Sequence, residues 1–196
     1  MATDFAAHRE EQRLLIVDFG GGTLDVSVVD CFENMVEIVA IAGNNRLGGN
    51  DIDRAIAAYF CQQTGLTWST LDSQQQRQLL SLAERGKISL SQTRDHGCVL
   101  ACQMGQKTLS VPLNGEILRA ICQPIFQQVK EVIVRGVRDS SIPLSAIHDV
   151  VLVGGSSQMG VFVDYLEALF SKRPTLAEHP EHTVALGVGL CAGIKQ

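Results

Sequence analysis

The sequence predicts an α/β protein: a central mixed sheet flanked by helices, with a small α+β subdomain beside it. Three observations predict it. Residues 14–29 place apolar stretches on either side of Gly20-Gly21-Gly22, with Asp25 and Ser27 alternating with Leu24, Val26 and Val28, the pattern of strand, tight turn and strand. Residues 50–60 and 73–92 repeat apolar side chains at helical spacing. Val150-Val151-Leu152-Val153 is a short apolar strand that runs into Gly154-Gly155-Ser156-Ser157 and another helical pattern.

Taken in order, residues 1–13 carry six charged or titratable side chains and little to bury, so a polar lead-in is expected there. The glycine hairpin follows, then a third strand over Met35–Ile41, with Gly43-Asn44-Asn45 turning the chain out of the sheet. Gly48-Gly49-Asn50-Asp51 starts a helix whose Ile52, Ala55, Ile56, Tyr59 and Phe60 share one face, with Asn50 or Asp51 placed to cap it. Asp51 and Asp53 read locally as partners of the helix dipole. A second helix spans about Ser73 to Gln92, capped by Asp72 or Ser73. Cys98–Cys102 and Lys107–Val111 form a small hairpin around Met104-Gly105. From Asn114 to about Arg138 the spacing is helical again, and Pro124 predicts a helix in two pieces. A helix over Met159–Phe170 follows the apolar strand, and another, starting near Pro180, covers Thr183–Ile194.

Composition narrows the function. The 196 residues are 45% hydrophobic and 19% charged, enough apolar material for one or two cores. No apolar run reaches the roughly 18 residues of a membrane helix, and the first 13 residues have no apolar signal-peptide core, so no membrane and a cytoplasmic location are expected. A net charge of −5 without clustered Lys or Arg argues against nucleic acid as a partner. The six cysteines follow no Cys-x-x-Cys or disulfide spacing and read as free thiols, and His179-x-x-His182 reads as a polar helix start rather than a metal pair.

The chemistry is expected at the glycine tip. Glycines let a backbone approach a ligand and turn successive N–H groups into an anion nest, whose natural guest is phosphate. A strand follows these glycines, whereas a dinucleotide fingerprint or a Walker loop opens a helix. Asp18 can hold magnesium through water, and Gly20, Gly21, Gly22 and the Thr23 hydroxyl can take phosphate oxygens. A plain glycine hairpin with Asp18 as a turn carboxylate is the alternative. Glu84, Lys87 and Ser91 fall along one stripe of the second helix, where they serve either an adenosine or a surface ion pair worth about 0.3 to 0.5 kcal/mol.

Asp18-Phe19-Gly20-Gly21-Gly22-Thr23-Leu24-Asp25 closely resembles the second phosphate loop of the DnaK-type heat shock protein 70 chaperones, within the actin and hexokinase superfamily. Further matches follow in the family's order: Leu47 to Asp53, Glu84 to Ser91, Val150 to Ser157 and Pro180 to Gly189. Together they span nearly everything from Leu14 onward. The resemblance implies an actin-like ATPase (ribonuclease H-like) fold and the second lobe of its nucleotide-binding domain. Residues 14–47 and 114–196 would form the core subdomain, residues 48–113 the outer one, and residues 1–13 a flexible lead-in.

It further implies ATP or ADP with Mg2+ as ligands. Asp18 would be catalytic and place magnesium, Gly20 to Thr23 would hold phosphate, and Gly48 and Gly49 would lie near the nucleotide. Glu84, Lys87, Ser91, Gly154, Gly155 and Ser156 would hold adenosine, although a strand-to-helix turn needing glycine describes residues 154–156 equally well. Implied partners are nucleotide-exchange factors at residues 48–113, J-domain cochaperones, and unfolded polypeptide bound through a further domain. The first lobe has no counterpart in the sequence, so little or no ATP hydrolysis is expected of this chain alone. The chain also departs from the family: Gln158 and Gly160 replace an adenine-stacking arginine and a proline, Leu24 replaces Phe, and Gly86 stands inside a helix at about 1 kcal/mol in propensity. Two alternatives stay open, the C-terminal half of a sugar or carboxylate kinase and an interaction module that has lost nucleotide binding.

Overall fold

The computed structural model describes residues 12–32, 35–93 and 97–177. The expected helix over 183–194, the His179/His182 pair and Cys191 lie outside the described residues. Strands β1 (Gln12–Phe19), β2 (Leu24–Phe32) and β3 (Met35–Asn44) form an antiparallel meander. Strand β6 (Asp149–Val153) pairs parallel to β1, and the short β7 (Thr175–Leu176) pairs parallel to β6. The sheet order is therefore β3-β2-β1-β6-β7, a mixed sheet as predicted. Gln12 and Arg13, expected in the lead-in, are instead the start of β1: Arg13 Nε lies 3.2 Å from Asp30 Oδ2 on β2, and the Arg13 carbonyl accepts from His148 N. Likewise β3 runs three residues past its predicted end, because Ala42 remains a buried, paired position opposite Val26.

One side of the sheet is closed by α3 (Gly115–Ser140) and α4 (Gly160–Phe170). Leu15, Val17 and Phe19 from β1 and Leu24, Val26 and Val28 from β2 alternate onto this side and are fully buried. Phe19 packs on Phe162 at 4.8 Å between ring centroids, and Phe162 on Phe126 at 5.5 Å. Burying each ring contributes about 2 to 3 kcal/mol.

Helix α3 is a single element, against the two-piece expectation. Asn114 caps it, Oδ1 accepting from Ile117 N at 2.9 Å. Pro124 sits on its exposed face, where water reaches the carbonyl that loses a donor, while Cys122, Ile125, Phe126 and Val129 anchor both flanking turns in the core. Packing on both sides outweighs the missing hydrogen bond.

Between β3 and α3 the chain builds a smaller layer: α1 (Gly49–Thr64), α2 (Ser73–Thr93) and the hairpin β4 (Cys98–Met104)–β5 (Lys107–Leu113). Asp72 caps α2, its Oδ1 accepting from Gln74 N and Gln75 N while Gln75 Oε1 accepts from Asp72 N. Gly86 answers its own propensity cost: a Cβ there would stand 2.5 Å from Leu100 Cδ2, so glycine lets β4 lie close on α2. The apolar cluster runs without a break from this layer into the sheet.

Candidate functional site

The glycine tip, the start of α1, the middle of α2 and the turn after β6 converge at the end of β1. Gly20 N closes the tip by donating to Thr23 O at 3.0 Å. The tip carbonyls face α1: Gly49 N donates to Gly20 O at 2.9 Å and Asn50 N to Gly21 O at 2.7 Å. The first N–H groups of α1 are thus satisfied by the hairpin rather than by a capping side chain. Among the described residues the Gly21 and Gly22 N–H groups have no backbone acceptor, and Gly21, Gly22 and Thr23 are exposed. Two amides and one hydroxyl, not three amides, are open to an anion, since the Gly20 N–H is committed to the turn.

Gly48 and Gly49 are fixed by close approach. A Cβ on Gly48 would stand 2.5 Å from Gly22 N and 2.6 Å from Gly21 O, both backbone atoms that cannot give way. A Cβ on Gly49 would stand 2.3 Å from Ser156 Oγ and 3.1 Å from Lys87 Nζ. The N-cap is Gly48 rather than Asn50 or Asp51, and Asp51, the third helical residue, reaches back so that its Oδ2 accepts from Gly48 N at 2.8 Å.

The turn after β6 arrives from the other side. Gly154 has φ +87, and a Cβ there would stand 2.5 Å from Phe19 O and 2.7 Å from Asp18 Oδ1. Ser156 Oγ donates to Gly20 O at 2.9 Å, tying this turn to the glycine tip. Gly155 is exposed, with no atom within 4 Å of a Cβ built on it, so its outer side is open.

Asp18 is half-buried at the end of β1, directly opposite Asp25 in the β1–β2 register. Burial, and then the negative charge of Asp25, push the Asp18 carboxyl above its ordinary range. Such a place favours a positive partner. Among the described residues no three His, Cys, Asp or Glu side chains gather as a metal cluster. A magnesium ion, which keeps most of its waters and takes one or two carboxylates with phosphate oxygens, fits this donor set better than an ion requiring an all-protein cage.

The stripe of α2 divides. Lys87 is 9% exposed and turns inward, its Nζ 2.8 Å from Asp53 Oδ1 on α1 and donating to Gly49 O at 3.2 Å. Glu84 stays exposed at the rim, and Ser91 Oγ is turned back to Lys87 O at 3.0 Å. The structure therefore brings Lys87 to the glycine junction with Ser156 and leaves Glu84 and Ser91 outside it. Asp53 is the residue that local reading mistook: it is 7% exposed and salt-bridged, not a surface partner of the helix dipole. Its signal was present, because Asp53 falls in the helical repeat of buried Gly49, Ile56 and Phe60. Burial pushes its carboxyl up, with Lys87 opposing the shift and Glu84 adding to it.

The described cysteines are all free thiols. Burial raises Cys61, Cys98 and Cys102, and takes Cys122 up to about 12, so these four are packing groups rather than nucleophiles.

The chain was compared with known proteins. The sequence model of the family described as Hsp70 protein matches residues 2–196. The chain is similar to the chaperone protein dnaK of Thalassiosira pseudonana, 30% identical over 193 residues that make up 95% of this chain and 32% of that protein. It is similar to chaperone protein DnaK 1 of a Synechococcus strain, 31% identical over 194 residues, 95% of this chain and 26% of that protein. It is also similar to the HscA homolog of Aliivibrio fischeri, 30% identical over 185 residues, 94% of this chain and 29% of that protein. The chain thus spans between a quarter and a third of the length of the curated relatives it matches.

Proposed function

Because the chain belongs to the Hsp70 family, we propose that it is the adenine-nucleotide-binding lobe of a molecular chaperone whose ATP binding and hydrolysis control its grip on unfolded polypeptide. One observation carries the reading: residues 20–23, 48–49, 87 and 154–156, distant in sequence, meet around the Gly20 carbonyl and the Gly49 peptide. The site residues fall into three groups. Gly21 N, Gly22 N and the Thr23 hydroxyl bind phosphate oxygens, with Gly20 shaping the turn. Lys87, Gly49, Gly155 and Ser156 line the adenosine side, with Glu84 and Ser91 at its edge, while Gly48 and Gly154 keep the three backbones close. Asp18 orients the attacking water and would hold magnesium through its hydration shell; bound there, that ion would neutralise phosphate charge. Phosphoryl transfer is chiefly a matter of positioning and charge.

Alone, the chain hydrolyses ATP little or not at all in this reading, because only one side of the nucleotide is provided. We place residues 48–113 as the outer subdomain, facing nucleotide-exchange factors, with residues 14–47 and 114–196 as the core. J-domain cochaperones and unfolded polypeptide complete the expected partners, the polypeptide through a part of the relatives' length that this chain does not span. Among the described residues no helix is long and apolar enough to cross a membrane. A cytoplasmic location is proposed as part of the chaperone reading and does not rest on that absence. The Hsp70 assignment leaves the kinase alternative without support. An interaction module without nucleotide is favoured by one observation, that Lys87 Nζ is already engaged by Asp53 and Gly49 O.

Calorimetric titration with ADP and magnesium tests the reading. Wild-type binding should weaken at least tenfold, about 1.4 kcal/mol, in Lys87→Ala, and also in Thr23→Val, which alters only the exposed tip. Unchanged affinity in both variants would overturn the site, and no binding by wild type would favour the interaction module.

A further inference from the structure

The Lys87–Asp53 contact is the most deeply buried ion pair among the described residues, joining two helices that both contribute to the apolar core. Nothing in packing requires it. A pair of well-packed apolar side chains in the same place serves stability at least as well, since both charges give up water on burial. Among the described residues the buried Asp53 Oδ1 has no other neighbour to satisfy it than Lys87 Nζ, 2.8 Å away. The ammonium is held by both charge and hydrogen bonding, to Asp53 and to the Gly49 carbonyl.

What the pair accomplishes is position. Lysine is a compact charge on a flexible stem, and a buried carboxylate removes most of the orientations open to it. With Asp53 behind it and the Gly49 carbonyl at its side, Lys87 Nζ lies 3.1 Å from the point a Gly49 Cβ would occupy, the same point that Ser156 Oγ approaches to 2.3 Å. An ammonium donor and a serine hydroxyl are thereby brought to one glycine peptide, and both are groups that can hydrogen-bond the hydroxyls of a ribose.

We propose that Asp53 is a positioning residue for nucleoside recognition: its carboxylate pins the Lys87 ammonium at the Gly49 peptide, beside Ser156, so that a ribose meets a donor already in place. The proposal rests on the nucleotide-lobe reading above. Glu84 on α2 and Arg54 on α1 also act on the Asp53 charge, but both are exposed, whereas Lys87 alone combines contact with burial. Cys122 of α3 is fully buried and near enough for both charges to act on its thiol.

The test measures ADP and pyrophosphate binding by the whole chain in wild type, Asp53→Asn, Lys87→Ala and the double variant. Asp53→Asn should weaken ADP at least tenfold while leaving pyrophosphate, which needs only the glycine tip, within twofold. In the Lys87→Ala background the same change should alter ADP affinity by less than twofold, since no ammonium remains to be positioned. Equal loss of both ligands, or the same ADP loss with and without Lys87, would overturn the proposal in favour of a purely structural pair. Wild-type binding with Asp53→Asn unaffected would overturn it and leave the nucleotide reading standing. Wild type that binds neither ligand would overturn both. If Asp53→Asn fails to fold, Asp53→Glu carries the test, with a selective loss of ADP expected and equal loss of both ligands overturning.

Discussion

Ser156 Oγ donates a 2.9 Å hydrogen bond to the Gly20 carbonyl across 136 positions of sequence, and that carbonyl also accepts from Gly49 N. One oxygen thereby joins the glycine tip, the start of α1 and the turn after β6. Ser156→Ala removes one of its two donors and should cost about 1 kcal/mol, read as a lower denaturant midpoint at unchanged slope.

The close-approach glycines should separate sharply from the open ones. Gly48→Ala drives a methyl to within 2.6 Å of the Gly21 and Gly22 backbone, and Gly154→Ala adds a positive φ to a 2.5 Å approach to Phe19 O. Each should lower stability by about 2 kcal/mol or more. Gly155→Ala, with nothing within 4 Å, should stay within about 0.5 kcal/mol of wild type in the same thermal melts.

Asp18 gives a pH signature. Its folded-state pKa lies above the ordinary 3.8, so the folded protein holds the proton more tightly than the unfolded chain. Stability contributed here is present at low pH and is lost as pH rises from about 3.8 through the folded value. Asp18→Asn should therefore melt higher than wild type at pH 7 in the absence of divalent ions. The difference should close on acidification, whereas a difference independent of pH would contradict the assigned cause.

Removing one member of the Lys87–Asp53 pair should be harsher than removing both. Lys87→Met leaves a buried carboxylate without its partner and should cost about 3 kcal/mol or more near neutral pH. Lys87→Met with Asp53→Leu should recover most of that loss in equilibrium denaturation. A double variant as unstable as Lys87→Met would mean that the pair itself holds the helices together.

Much of this architecture was legible because it is written locally. The hairpin came from period-two alternation around three glycines, α2 from its apolar stripe and its Asp72 cap, and β6 from its apolar run. Each depends on residues a few positions apart. Elements decided by distant neighbours were not legible. Asp53 looks like a dipole partner until α2 delivers Lys87 to it, Pro124 looks like a break until the core grips α3 on both sides, and β3 ends late because Ala42 finds Val26. The Gly20 amide belonged on the phosphate list by residue type, and only the turn geometry assigns it to Thr23 O. Gly86 is similar, a costly helix residue until Leu100 lies against it.

The stitching of α1 to the glycine tip has a mechanical consequence. Two short backbone bonds, to Gly20 O and Gly21 O, clamp one end of a 16-residue rod about 24 Å long. A tilt of about 5° at the clamp carries the far end, near Thr64, through about 2 Å. The end of α1 near Thr64 is therefore the part of the helix that a change of angle at the glycine tip would displace most.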